Sequence, residues 1–183
     1  CDAAETSNES DAEALRALIQ RQLPQIVQRL QWTMEKLQAP QKTETRDVPA
    51  TDWWGNLKQR YISEPVEFRD LDIAANTPVP VELFDSIADN LLQNALQKRR
   101  LEPGLRISVS FSCSLKPKLG ICDDGVPLSE SVARQLFSGP VPSQTGLGIG
   151  LYQAWRQAEE QGYRLRLASN QIGKVCFELS PAA

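Results

Sequence analysis

The chain has 183 residues, with 20 basic against 23 acidic side chains, a net charge of −3 and no histidine. The missing imidazole excludes Ser-His-Asp and Cys-His catalysis, Cys2His2 zinc, and any histidine phosphorylation contained within the chain. The length fits one domain, and at this size folding hides roughly 70% of the unfolded surface, so a core forms without covalent staples.

Accordingly Cys1, Cys113, Cys122 and Cys176, which contain no C-x-x-C pair, read as reduced residues, the last three within apolar, strand-like stretches. The mild acidity gives no reason to expect nucleic acid as a partner, although Lys98-Arg99-Arg100 is a local basic cluster. No run of about 18 apolar residues and no signal peptide is visible, so the expected compartment is the cytosol. A first residue that is Cys rather than Met reads as the start of a fragment, which leaves room for an anchor upstream.

In chain order, residues 1–14 carry Asp2, Glu5, Glu9, Asp11 and Glu13 without a base, the composition of a disordered acidic lead-in. Across 15–38 the apolar residues Leu15, Ile19, Leu23, Ile26, Leu30, Met34 and Leu37 recur close to the period of about 3.6 that marks an amphipathic helix, kinked at Pro24. Its stripe suits packing on the following domain and homodimerisation through 15–37 equally well. A polar connector over 39–52 leads into an alternation of α and β. A short helix is expected at 53–61, a strand at 66–73, and a strong helix at 81–100 that opens after Pro80 and closes before Pro103-Gly104. Strict alternation predicts a half-buried strand at 106–113. A strand at 119–122, a Gly/Pro/Ser-rich loop at 138–148, a helix at 151–161 and strands at 164–169 and 174–179 complete the reading.

Three local patterns carry chemistry. On the helix at 81–100, Asn90 and Asn94 stand at i and i+4 on one face. A neutral amide oxygen there suits the octahedral shell of Mg2+, whose other ligands are phosphate and water. Next, Asp123-Asp124-Gly125 follows a strand; a carboxylate at that point can accept from an exocyclic amine such as adenine's, and Gly125 lets a ring approach the backbone. Finally Thr145-Gly146-Leu147-Gly148-Ile149-Gly150 runs straight into a helix, offering bare N–H groups and a positive helix end to phosphate.

In this order the patterns resemble the N, G1 and G2 boxes of the GHKL ATPase superfamily, and most closely the catalytic domain of sensor histidine kinases, with Leu136-Phe137 where that family has its Phe-containing box. The resemblance covers about residues 45–180, within an ATP-binding catalytic domain placed at 45–183. It implies an α/β two-layer sandwich of the Bergerat type, a mixed sheet with helices on one face, preceded here by the long amphipathic helix. It also implies that Asn94 is the Mg2+ ligand, that Asn90 lies beside it on the phosphates, and that Asp123 is the adenine acceptor beside Gly125. Thr145, Gly146, Leu147, Gly148, Ile149 and Gly150 would form the lid around the phosphates of ATP. Lys98 is a further candidate, displaced by one position from the family's lysine, where this chain has Gln97. Pro127 replaces the second glycine of the G1 box, and Lys174-Val175 replaces a Gly-Thr pair.

The related ATPases usually carry Glu where this chain has Asn90; an amide cannot act as a general base, which favours a kinase whose nucleophile is an acceptor imidazole. The implied function is phosphoryl transfer from Mg-ATP to a histidine outside this chain. The implied partners are that phosphoacceptor segment and a response regulator, and the implied setting is cytoplasmic, on its own or as part of a membrane-anchored sensor. The alternative is a degenerate pseudokinase serving as a nucleotide-binding or dimeric interaction module.

Overall fold

The computed structural model describes residues 46–137 and 150–182. The acidic lead-in, the helix at 15–38 with the domain packing or dimer contact that its stripe suits, and the glycine-rich stretch at 138–149 lie outside the described residues. The elements run β1 (Asp47–Pro49), α1 (Ala50–Arg60), β2 (Val66–Ile73), β3 (Pro78–Pro80), α2 (Val81–Leu101), β4 (Ile107–Cys113) and β5 (Lys118–Asp123). They continue with α3 (Glu130–Gln135), α4 (Gly150–Glu160), β6 (Tyr163–Gln171) and β7 (Lys174–Pro181).

Five strands form a mixed sheet in the order β2-β4-β5-β7-β6, parallel between β2 and β4 and antiparallel elsewhere. This is the expected α/β class. The alternation in β4 decides which face is covered: Ile107, Val109, Phe111 and Cys113 are buried while Ser108, Ser110 and Ser112 are half-buried on the other side. Leu119 and Ile121 of β5, Leu165 of β6 and Leu179 of β7 extend the apolar face. Against it pack Trp53, Trp54 and Leu57 of α1, Phe84, Ile87 and Leu91 of α2, and Ala154 and Ala158 of α4.

An aromatic cluster centres this core. Trp53 lies 4.9 Å from Phe111 and meets Phe84 edge-on at 5.3 Å between centroids. Each indole has its N–H satisfied at the rim, Trp53 Nε1 by Asp85 Oδ1 at 2.8 Å and Trp54 Nε1 by Asp70 Oδ1, as buried tryptophans require. The indole bond is the main reason that the Asp70 carboxyl is held below its ordinary range. Arg60 and Tyr61, at the end of α1, reach Asp85 and Asp89 of α2, so the charged edge of α2 serves helix packing as well.

α2 is the element on which the site depends. Its buried stripe of Leu83, Phe84, Ile87, Ala88, Leu91, Leu92 and Ala95 repeats at helical spacing, and no Gly or Pro interrupts it. It ends where Pro103 follows and Gly104 turns back with φ +98°, a conformation that suits glycine. Three elements are absent from the sequence reading. β1 and β3 pair as a two-stranded ribbon, Val48 opposite Val79; each has three residues and two or fewer apolar positions, too little to show a period. The short α3 begins with Ser129, whose hydroxyl accepts from Val132 N.

The cysteine reading needs correction. Cys122 and Cys176 form a disulfide between β5 and β7, where they are register partners. Directly opposite residues on antiparallel neighbours bring their Cβ atoms within about 5.5 Å, and strand adjacency cannot be read from the spacing of the cysteines. Cys113 is free and buried, and burial pushes its thiol up. Disulfides persist mainly in oxidising compartments, so cysteine content lends no support to the cytosolic expectation. Among the described residues no helix is long and apolar enough to cross a membrane.

Candidate functional site

One face of α2 carries Asn90, Asn94 and Lys98, each four residues after the last. Asn90 is only 8% exposed. Its Nδ2 donates to the Ser86 carbonyl at 2.6 Å, and its Oδ1 lies 2.6 Å from where a Cβ on Gly150 would stand. The glycine thus allows the start of α4 to sit directly on Asn90. Gly150→Ala should lower stability by about 1–3 kcal/mol through overpacking, read as a lower urea midpoint; an unchanged midpoint would mean that α4 does not rest there.

Asn94, one turn further on, is exposed. Among the described residues no group of three or more His, Cys, Asp or Glu gathers to hold a metal. A single neutral amide fits an ion such as Mg2+ that keeps several waters and takes most of its charge compensation from a ligand's phosphates.

The opposite end of the same face meets the end of β5. Lys98 Nζ donates to Asp123 Oδ1 at 2.7 Å and to the Val126 carbonyl at 2.7 Å. The two side chains retain 22% and 11% of their exposure. Gly125 N also donates to Asp123 Oδ1, at 3.0 Å. Asp124 turns elsewhere: its two oxygens take Arg106 N and Arg106 Nε, both at 2.7 Å, which hold its carboxyl below the ordinary range. Of the two adjacent acids, Asp124 closes the β4–β5 end and Asp123 faces α2.

The turn after Asp123 has its backbone donors engaged. Asp124 N binds the Arg106 carbonyl, Val126 N binds Glu102 Oε2 at 3.4 Å, and Leu128 N binds Asn170 Oδ1 at 2.8 Å, while Asn170 Nδ2 returns to the Leu128 carbonyl. Pro127 has no N–H to offer. The bare side of Gly125 is also occupied, since a Cβ there would lie 2.5 Å from Leu105 Cδ1, 2.6 Å from Glu102 Oε2 and 2.8 Å from Lys98 Cε. In this structure the missing side chain admits the end of α2 against the turn. Val175 is buried opposite Asp123 in the register.

No family model and no curated protein matches the sequence. Solved structures do resemble the fold. The nucleotide-free catalytic domain of histidine kinase ThkA aligns with a TM-score of 0.55 at 14% identity, over 76% of this chain and 97% of that one. The mycobacterial sensor histidine kinase MprB aligns with a TM-score of 0.54 at 19% identity, over 73% of this chain and 95% of that one. ThkA in complex with the response regulator protein TrrA aligns with a TM-score of 0.63 at 14% identity, over 91% of this chain and 50% of that one. The fold is that of a histidine kinase catalytic domain.

Within this fold the described candidate residues form two clusters. Asn90 and Gly150 touch each other, and Lys98, Asp123 and Gly125 form a second cluster on the same helix face. Asn94 lies between them on α2. Thr145, Gly146, Leu147, Gly148 and Ile149 fall outside the described residues. Sequence reasoning missed Glu102 and Asn170, which hold the turn at 125–128. The Pro103-Gly104 helix stop signals that residue 102 ends a helix near something, but nothing local marks Asn170.

Proposed function

We propose that the domain binds Mg-ATP along α2 and serves as the catalytic domain of a two-component sensor histidine kinase, donating the γ-phosphoryl group to a histidine outside this chain. The observation that carries the reading is that one face of α2 touches the start of α4 through Asn90 and the end of β5 through Lys98. These contacts are about 12 Å apart along the helix. Asp123 would accept from the adenine amine, Asn94 would hold Mg2+, and the N-terminus of α4 at Gly150 would favour the phosphates through its N–H groups and positive end. The residues at 145–149 would complete the phosphate end. Mg2+, when bound, neutralises charge on the phosphates.

This chain's residues bind, orient and exclude water; there is little covalent work for them in phosphoryl transfer. Asn90 supports transfer over hydrolysis, because its amide cannot take a proton from an attacking water. The response regulator complex of ThkA supports a response regulator as the downstream partner, and a cytoplasmic setting goes with that partner. Incubated with γ-labelled ATP, the chain alone should remain unlabelled. A separate histidine-bearing phosphoacceptor bundle should acquire acid-labile label when the chain is added, slowly because two separate molecules lack the proximity of a linked pair. Label on the chain itself would contradict the proposal, and ATP binding without transfer to any acceptor would indicate the pseudokinase.

A further inference from the structure

On the reading that the site takes ATP, we infer that Lys98 is a specificity-determining residue that reads the purine base together with Asp123, and is not a ligand of the phosphates. Its ammonium is fixed at the base end of the site, 2.7 Å from both Asp123 Oδ1 and the Val126 carbonyl, one turn beyond Asn94 and two beyond Asn90. An ammonium has three donors; these contacts engage two and leave one. The Asp123 contacts from Lys98 and Gly125 both fall on Oδ1, which among the described residues leaves Oδ2 to accept.

An acceptor beside a donor is the complement of the N6–H and N1 edge of adenine. The turn cannot provide that donor from its backbone. Gly125 N is bound to Asp123, Val126 N to Glu102 and Leu128 N to Asn170, and Pro127 has none. Among the described residues, the side chain of Lys98 is the donor left on this edge. Lys98 and Asp123 keep 22% and 11% of their exposure, so the pair is partly desolvated, where a hydrogen bond from a charged group discriminates more than in water.

The test compares ATP with 1-deaza-ATP, in which C–H replaces N1, and ATP with adenosine, on the parent chain and on Lys98→Met and Lys98→Arg. The parent should prefer ATP over 1-deaza-ATP by about 10-fold, the size expected for one charge-assisted hydrogen bond. Lys98→Met should bind the two alike, Lys98→Arg should recover part of the preference, and the loss on Lys98→Met should be the same for adenosine as for ATP. Melting curves establish that each variant is folded, and the parent's own preference needs no variant at all. A parent that binds ATP and 1-deaza-ATP equally would overturn the inference while leaving ATP binding intact. So would a loss confined to ATP, which marks a phosphate ligand, or tighter binding by Lys98→Met, which marks a plug. A parent that binds no nucleotide would overturn the functional reading and the inference with it.

Discussion

Reduction of the Cys122–Cys176 bond should move urea unfolding to lower concentration, corresponding to a loss of about 2–4 kcal/mol. The cysteines are 54 residues apart, and a cross-link closing a loop of this length removes much conformational freedom from the unfolded chain. The same bond ties β5 to β7 one residue before Asp123, so the loss falls on strands that carry the site. The double variant Cys122→Ser/Cys176→Ser should unfold like the reduced parent and be indifferent to reductant. Cys113 remains free and buried in both and serves as the internal control. A parent whose midpoint is unchanged by reductant while its thiol titre rises would show that the bond contributes nothing to stability.

Asp123→Ala should weaken ATP binding by about 10–100-fold, equivalent to about 1.5–3 kcal/mol for a hydrogen bond to a charged group. Two effects contribute. The acceptor for the exocyclic amine is removed, and the Lys98 ammonium loses its carboxylate partner in a half-closed environment. Asp124→Ala is the matched control, because Asp124 engages Arg106 and not α2, and its affinity should stay within about twofold of the parent's. Displacement of a fluorescent ATP analogue measures both variants. Equal losses in the two would mean that the turn as a whole had moved and that Asp123 had no special place.

The features legible in the sequence are those whose signal is local. The stripe on α2, the alternation in β4 and the strand-acid-glycine run at Ile121–Gly125 each lie within a short window, and each appears in the structure where expected. What escaped depends on neighbours distant in the chain. The β1–β3 ribbon joins residues across the whole of α1 and β2. The disulfide depends on β7 lying beside β5, and the clamp from Asn170 to Leu128 spans 42 residues. Lys98 illustrates the difference. Its presence one position late on the helix was visible, but its partner was not, because a shift of one residue rotates a helical side chain by about 100° and only the packed structure says what lies there.

If α2, the end of β5 and the start of α4 enclose a site for Mg-ATP, nucleotide binding by the chain depends on the ion. Titration calorimetry of the full chain with ATP, in the presence of Mg2+ and again with the ion chelated, tests it most directly. Binding should be saturable and should weaken on chelation, with Asn94→Leu binding equally weakly under both conditions because the amide that would hold the ion is gone. No detectable heat at millimolar ATP with Mg2+ present would contradict it.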